Sequence, residues 1–232
     1  METNGKAKPR AYEPSRYTLG EEIANAVTHG VGAALGIAGL SVMTVAAARH
    51  GAGRVVPCVI YGSFMVLMFL VSTLYHSLTP PRAKRVFRVL DHEMIFLMIA
   101  GTYTPMMLLG LGGAWGWSLF GVVWGLAVAG LVFQGVFTGR FKVASTLIYV
   151  LMGWVIVIAF KPLVERVPAA GVRWLWIGGL CYTLGAVVYL FKKLPYHHAV
   201  WHLAVLGGAI CHYFAILWHV LPPEAGAGVP VP

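Results

Sequence analysis

Four residues separate Ser72 from His76 at the end of an apolar run, "FLVSTLYHS", and the same interval separates His198 from His202 in "HHAVWH". A basic stretch follows His76 and leads to Asp91, the only aspartate in the chain. Residues at i and i+4 of a helix project from one face, about 5–6 Å apart at Cβ. His198 and His202 can therefore turn ring nitrogens toward one ion, and His76, from a different helix, could complete a set of three. Three protein ligands and one water form the arrangement of a catalytic zinc site, with Zn–N distances of about 2.0–2.1 Å. Water held in that way can be acidified to a pKa of roughly 7. Asp91 could hold and deprotonate it if its carboxylate lies within hydrogen-bond reach. Ser72 could bond the water or a substrate carbonyl. Plainer readings stand beside this one. Asp91 could cap a helix N-terminus, where a carboxylate offsets the helix dipole, and a lone HxxxH near a membrane surface says little about metal.

The elements that must position these groups are transmembrane helices. Of the 232 residues, 59% are hydrophobic and only 11% charged, whereas a soluble domain carries about 25% charged residues. The chain therefore reads as an all-α integral membrane protein. Its net charge of +9 comes from short basic clusters between apolar runs, which is a topology signal and not a nucleic-acid surface. Cys58, Cys181 and Cys211 lie inside apolar segments without CxxC spacing. They imply neither a disulfide framework nor a thiolate metal site.

A helix needs roughly 20 apolar residues to cross a bilayer, and seven stretches qualify, at about 26–48, 56–78, 91–111, 115–137, 143–160, 172–191 and 199–221. The chain then divides into a short polar segment, 1–20, a seven-helix membrane domain, 21–221, and a Pro/Gly/Ala-rich tail, 222–232, of disordered composition. Residues 1–20 do not read as a cleavable signal peptide, so the first helix would act as the anchor. Of the 17 Lys and Arg residues, 12 fall on the side of the N-terminus and 5 on the other. The positive-inside rule then places the N-terminus in the cytoplasm and the C-terminus outside.

On that topology nearly all the unusual polar residues meet at one face. Span 2 ends there with Ser72 and His76, span 3 begins with Asp91, and span 7 begins with His198 and His202. Span 1 also begins there, with Glu21, Glu22, Asn25 and His29. Glu21, Asn25 and His29 could orient the metal ligands or simply tie span 1 to its neighbours. His212 lies ten residues beyond His202, about 15 Å deeper by helix rise, and is expected to bond a neighbouring helix or a buried water. His50, His92, His197 and His219 read as surface or packing residues, and Tyr75, Tyr196, Trp201 and Trp218 as interfacial aromatics. Gly32-x3-Gly36 and Gly121-x3-Gly125 allow close helix approach in lipid, within one chain or between copies. Intramolecular packing is the expected use, and a homo-oligomer stays open.

From "EEIANAVTHGVGA" through "STLYHS", "LDHEMIFLMIAGTYTP" and "LIYVLMGW" to "HAVWHLAVLGGAICHYFA", the chain resembles the hemolysin III family, which groups with the progestin and adipoQ receptors and more distantly with the alkaline ceramidases. The resemblance implies a seven-helix bundle with an intramembrane Zn2+ near the cytoplasmic side. Its ligands would be His76, His198 and His202, with Asp91 holding the zinc water and Ser72 one turn before the first histidine. The short N-terminal segment argues against a hormone receptor and for a bacterial inner-membrane protein.

The leading expectation is a zinc-dependent hydrolase of a membrane-lipid amide or ester. The alternatives are a zinc-stabilised sensor or regulator of membrane state without turnover, and a hemolysin-like channel or pore. A membrane lipid is the expected partner, and no nucleic acid is.

Overall fold

The computed structural model describes residues 17–137, 141–191 and 193–222. Lys6, Lys8, Arg10, Arg16, Arg140 and Lys192 of the charge count, most of the 1–20 segment and the tail beyond 222 lie outside the described residues.

Among the described residues, eight α-helices build seven spans long and apolar enough to cross a membrane. They are α1 (Leu19–Arg49), α2 (Ala52–Ser77), α3 (Pro81–Pro105), α4 (Gly113–Phe137), α5 (Lys142–Gly153), α6 (Phe160–Arg166), α7 (Ala169–Leu190) and α8 (His197–Ala215). α5 and α6 share the fifth span through a 3-10 turn at Val155–Ala159. Two spans end in a π-helical turn: Met106–Leu111 after α3 and Ile216–Val220 after α8. Arg166 caps the first of these turns by donating to Leu111 O. Arg54 caps the second by donating to Leu221 O at 2.7 Å. Backbone carbonyls freed at helix ends need such partners where water is scarce.

α1 packs along α2, α2 along α3, α3 on α4 and α7 on α8, and α8 returns to α1. α5 touches α3, α4 and α7 only sparingly, and the space it leaves is the main cavity. Hydroxyls in the spans are absorbed locally: Thr44, Thr73, Thr102, Thr104 and Thr183 each donate to the carbonyl four residues back. Val31, Leu35, Val128, Val132, Leu151 and Leu184 face outward, as lipid-facing positions must.

The structure corrects several boundaries. α1 starts at Leu19, behind a Thr18–Glu21 capping box, so the polar segment ends earlier than position 20. α3 starts at Pro81, not near 91. Pro81 occupies a first-turn position, where the fixed φ of proline favours a helix start, and the basic stretch after it is helical. Asp91 consequently sits ten residues inside α3 and cannot be a helix cap. The fifth span runs to Arg166.

The two glycine pairs separate. A Cβ on Gly32 would come within 2.7 Å of Phe69, and one on Gly36 within 3.3 Å of Val66, so this pair seats α1 on α2. Gly121 and Gly125 have nothing within 4 Å of a built Cβ. That pair takes no part in packing within the bundle. Trp201 packs against Gly185 and lines the cavity.

Candidate metal centre

Three helices converge at the bundle end that carries the α2–α3 turn. α2 brings His76 on its last turn, and α8 brings His198 and His202 on its first two. All three are buried, and each offers a nitrogen such that the three lie within 4.8 Å of one another. Three nitrogens on one tetrahedral zinc, at about 2.0–2.1 Å from it, stand about 3.4 Å apart. Closing the set takes side-chain rotation, with the helices already in place.

The third helix, α1, fixes two of these rings. Glu22 Oε2 lies 2.6 Å from His76 Nδ1, and Lys84 Nζ donates to Glu22 Oε1 at 2.7 Å. The carboxylate accepts a hydrogen bond from His76 Nδ1–H, which leaves Nε2 as the lone-pair nitrogen. Asn25 Nδ2 packs 3.4 Å from the same Nδ1. His202 Nδ1 donates to Asn25 O at 3.1 Å, with Thr28 Oγ1 at 3.2 Å. Its Nε2 is thereby left as the ligating nitrogen. His29 stacks on His202, with ring centroids 3.5 Å apart and planes 8° from parallel.

His198 is held by packing. It stacks on Tyr17 at 5.0 Å and leans on Tyr189 at 5.6 Å. Burial pushes the Tyr17 phenol far above its ordinary pKa, and Tyr189, Tyr75, Asp91 and Glu22 add to the shift. Tyr17 is therefore a neutral wall. The turn entering α8 is anchored from α1 as well: Tyr196, at φ 56°, donates its N–H to Glu21 Oε1 at 3.2 Å.

The residues present fit a metal on an internal criterion. Among the described residues, eight buried side-chain nitrogen or oxygen atoms have no hydrogen-bond partner. Seven belong to this cluster: His76 Nε2, both nitrogens of His198 and of His29, Ser72 Oγ and Asn25 Oδ1. Buried polar atoms are normally satisfied, so this concentration marks a place built for a ligand.

Asp91 borders the same cavity as His29, His198 and His202. Its carboxylate lies 3.8 Å from His92 Nδ1, which donates to Arg88 O at 2.8 Å. Ser72 is 1% exposed, one turn before His76. Asn25 lies against His76 and His202, and His29 against His202. Glu21 does not: its carboxylate closes the capping box and holds Tyr196. Glu22, Lys84 and Thr28 are contacts that sequence reasoning missed. Glu22, Asn25 and His29 follow an i, i+3, i+7 stripe, and that periodicity would have selected Glu22 over Glu21. His212 meets its expectation by donating to Leu175 O at 3.2 Å.

A multi-pass helical bundle with a buried three-histidine cluster able to coordinate a metal is the class that fold and site define. Residues 17–213 match the model of the "Haemolysin-III related" family, and the chain belongs to that family. It is 48% identical to Hemolysin-3 of Bacillus cereus over 203 residues, covering 87% of this chain and 93% of that one. It is 44% identical to the Hemolysin-3 homolog of Bacillus subtilis (strain 168), covering 88% and 96%. The human monocyte to macrophage differentiation factor is 28% identical over 229 residues, covering 94% and 88%. No solved structure matches the chain.

Proposed function

We propose that the chain is a zinc-dependent hydrolase of an amide or ester in a membrane lipid, acting at the cytoplasmic end of the bundle. The observation that carries the reading is the set of nitrogens on His76, His198 and His202 that can meet at one ion, beside a cavity that His198, His202 and Asp91 border. The cavity encloses about 150 Å³ and runs between α3, α5, α7 and α8. Tyr103, Met68 and Val205 are among its walls.

A zinc bound by these nitrogens would polarise a carbonyl and lower the pKa of a water at neutral pH. The chain's own residues do the rest. Glu22, Asn25 and Thr28 hold the two Nδ1 protons, so Nε2 is the ligating nitrogen of both His76 and His202. Asp91 accepts the proton of the attacking water and returns it to the departing amine or alcohol. Ser72 Oγ–H donates to the oxygen on which negative charge develops. Met68 and Val205 exclude bulk water from the acyl chain.

The orientation goes with this reading. Arg82, Lys84, Arg85 and Arg88 cluster at the histidine end, which the positive-inside rule assigns to the cytoplasm, and the bacterial relatives suit an inner-membrane location. The test is turnover by purified, zinc-loaded protein on ceramides, N-acyl amides and acyl esters. Hydrolysis of one class, lost in Asp91→Asn, is expected. No turnover on any class would end the proposal.

A second reading is favoured by how firmly α1 clamps two ligand rings, which is equally what a structural zinc requires. In that reading the metal stabilises a regulator of membrane state without turnover. The name of the Bacillus cereus relative points to lysis. Against a direct pore stands a cavity walled mainly by apolar side chains, Met68, Met98, Ile99, Val150 and Val205 among them.

A further inference from the structure

We infer that Arg82, Arg85 and Arg88, on the first turns of α3, form a binding surface for the phosphate headgroups of anionic phospholipids at the histidine end of the bundle. The inference needs only that the bundle crosses a membrane, and it is independent of the metal and of any turnover.

The stretch "PPRAKRVFRVL", residues 80–90, carries four cations and no acid. The fold divides the four. Lys84 is buried, and its ammonium donates to Glu22 at 2.7 Å. Arg82, Arg85 and Arg88 are exposed. Their i, i+3 spacing sets each beside the next, about 5–6 Å apart at Cβ. Among the described residues, these three guanidinium groups make no ion pair and no hydrogen bond. Asp91, the next acid along the chain, borders the cavity. Arg54 and Arg166, at the opposite end of the bundle, are occupied by the carbonyls they cap. Like charges at this helical spacing destabilise one another, and a shared counter-anion removes that cost.

The depth of the arginines says which anion that is. The third span runs from Pro81 to Leu111. From Asp91 to Leu111 it rises about 30 Å, the thickness of the hydrocarbon core of a bilayer. The turns before Asp91 therefore stand in the headgroup layer, which adds roughly 5–8 Å on each side. Arg88 lies about 5 Å beyond Asp91 along the helix, Arg85 about 9 Å and Arg82 about 14 Å. Arg88 and Arg85 thus stand level with lipid phosphates, and Arg82 at their water edge. A soluble acidic partner would reach Arg82 alone. Val86, 55% exposed and one turn from Arg82, adds apolar surface that suits a lipid neighbour.

The side-chain chemistry agrees. A guanidinium group offers a planar fork that binds phosphate oxygens in pairs. Basic residues beside a membrane span gain about fivefold each in affinity for anionic lipid. Lys84, an ammonium, is the one cation of the stretch turned inward, to a carboxylate. The three arginines are left for the membrane surface.

The experiment counts lipids retained by full-length protein in detergent, by native mass spectrometry, with dioleoyl phosphatidylglycerol or dioleoyl phosphatidylcholine added. Wild type should bind the phosphatidylglycerol at least tenfold more tightly, and added salt should shrink the difference. Arg82→Gln, Arg85→Gln and Arg88→Gln should each lower phosphatidylglycerol binding about fivefold and leave phosphatidylcholine binding unchanged. The triple variant should bind the two lipids equally. A control that removes two exposed charges from the opposite end, Arg49→Gln with Arg173→Gln, should keep the preference. Equal binding of the two lipids to wild type, a preference that survives the triple variant, or the same loss in the control would overturn the assignment. Glycerol 3-phosphate binding as tightly as the lipid would overturn it too, by assigning the patch to a soluble phosphate.

Discussion

Glu22 Oε2 lies 2.6 Å from His76 Nδ1, and the other oxygen of the same carboxylate receives Lys84 Nζ at 2.7 Å. A buried cation, a buried carboxylate and a candidate metal ligand thus form one chain across α3, α1 and α2. The carboxylate sets which nitrogen of His76 keeps its lone pair, and the ammonium compensates the carboxylate. Replacing such a partner typically costs about 10–100-fold in metal affinity. Glu22→Gln should weaken zinc binding by that factor in a chelator competition, with the helical content of the bundle retained. Affinity equal to wild type would show that Glu22 has no hold on the site.

Lys84 answers to a different readout. Lys84→Met removes the ammonium bonded to Glu22, and breaking a buried pair costs about 3–5 kcal/mol. The single variant should lose thermal stability in detergent. The double variant Glu22→Gln, Lys84→Met should recover much of it without recovering metal affinity. Independent, additive losses would contradict the coupling.

Asp91 and Ser72 separate chemistry from architecture. Asp91→Asn should retain full metal content while turnover falls by about 10²–10⁴-fold, the range for loss of a general base. Ser72→Ala should cost about 10²-fold in kcat, as for removal of one oxyanion donor. Loss of metal from Asp91→Asn would instead make Asp91 a ligand.

The two glycine pairs predict opposite outcomes. Gly32→Leu forces a side chain into Phe69 and should destabilise the bundle by about 1–3 kcal/mol. Gly125→Leu meets open space and should be near neutral in a monomer. Thermal unfolding in detergent reads both, and a large loss in Gly125→Leu would reveal a contact between copies.

Much of this architecture is legible in the sequence, because hydropathy and length decide which segments enter a bilayer. The same i, i+4 logic finds His198 and His202. Where the reading failed, a local signal was overridden by position. The basic stretch after Pro81 looked like a turn because it is polar, yet proline at a helix start and the residues after it form a helix. Asp91 was therefore placed at a terminus when it lies inside α3. The i, i+4 spacing of Glu21 and Asn25 favours Glu21 over Glu22, while the burial that distinguishes them depends on which face of α1 meets α2. Lys84 could not be found at all, since its pairing with Glu22 spans 62 residues. Gly121 and Gly125 have the spacing of a packing motif, but spacing does not say whether another helix is there.

The central claim is that His76, His198 and His202 hold a metal, and the most direct measurement is the metal content of detergent-purified protein. Wild type should carry one zinc per chain, and His76→Ala and His202→Ala should each lose it while keeping the helical signal of the bundle. Sub-stoichiometric metal in wild type, or full metal in either variant, would contradict it.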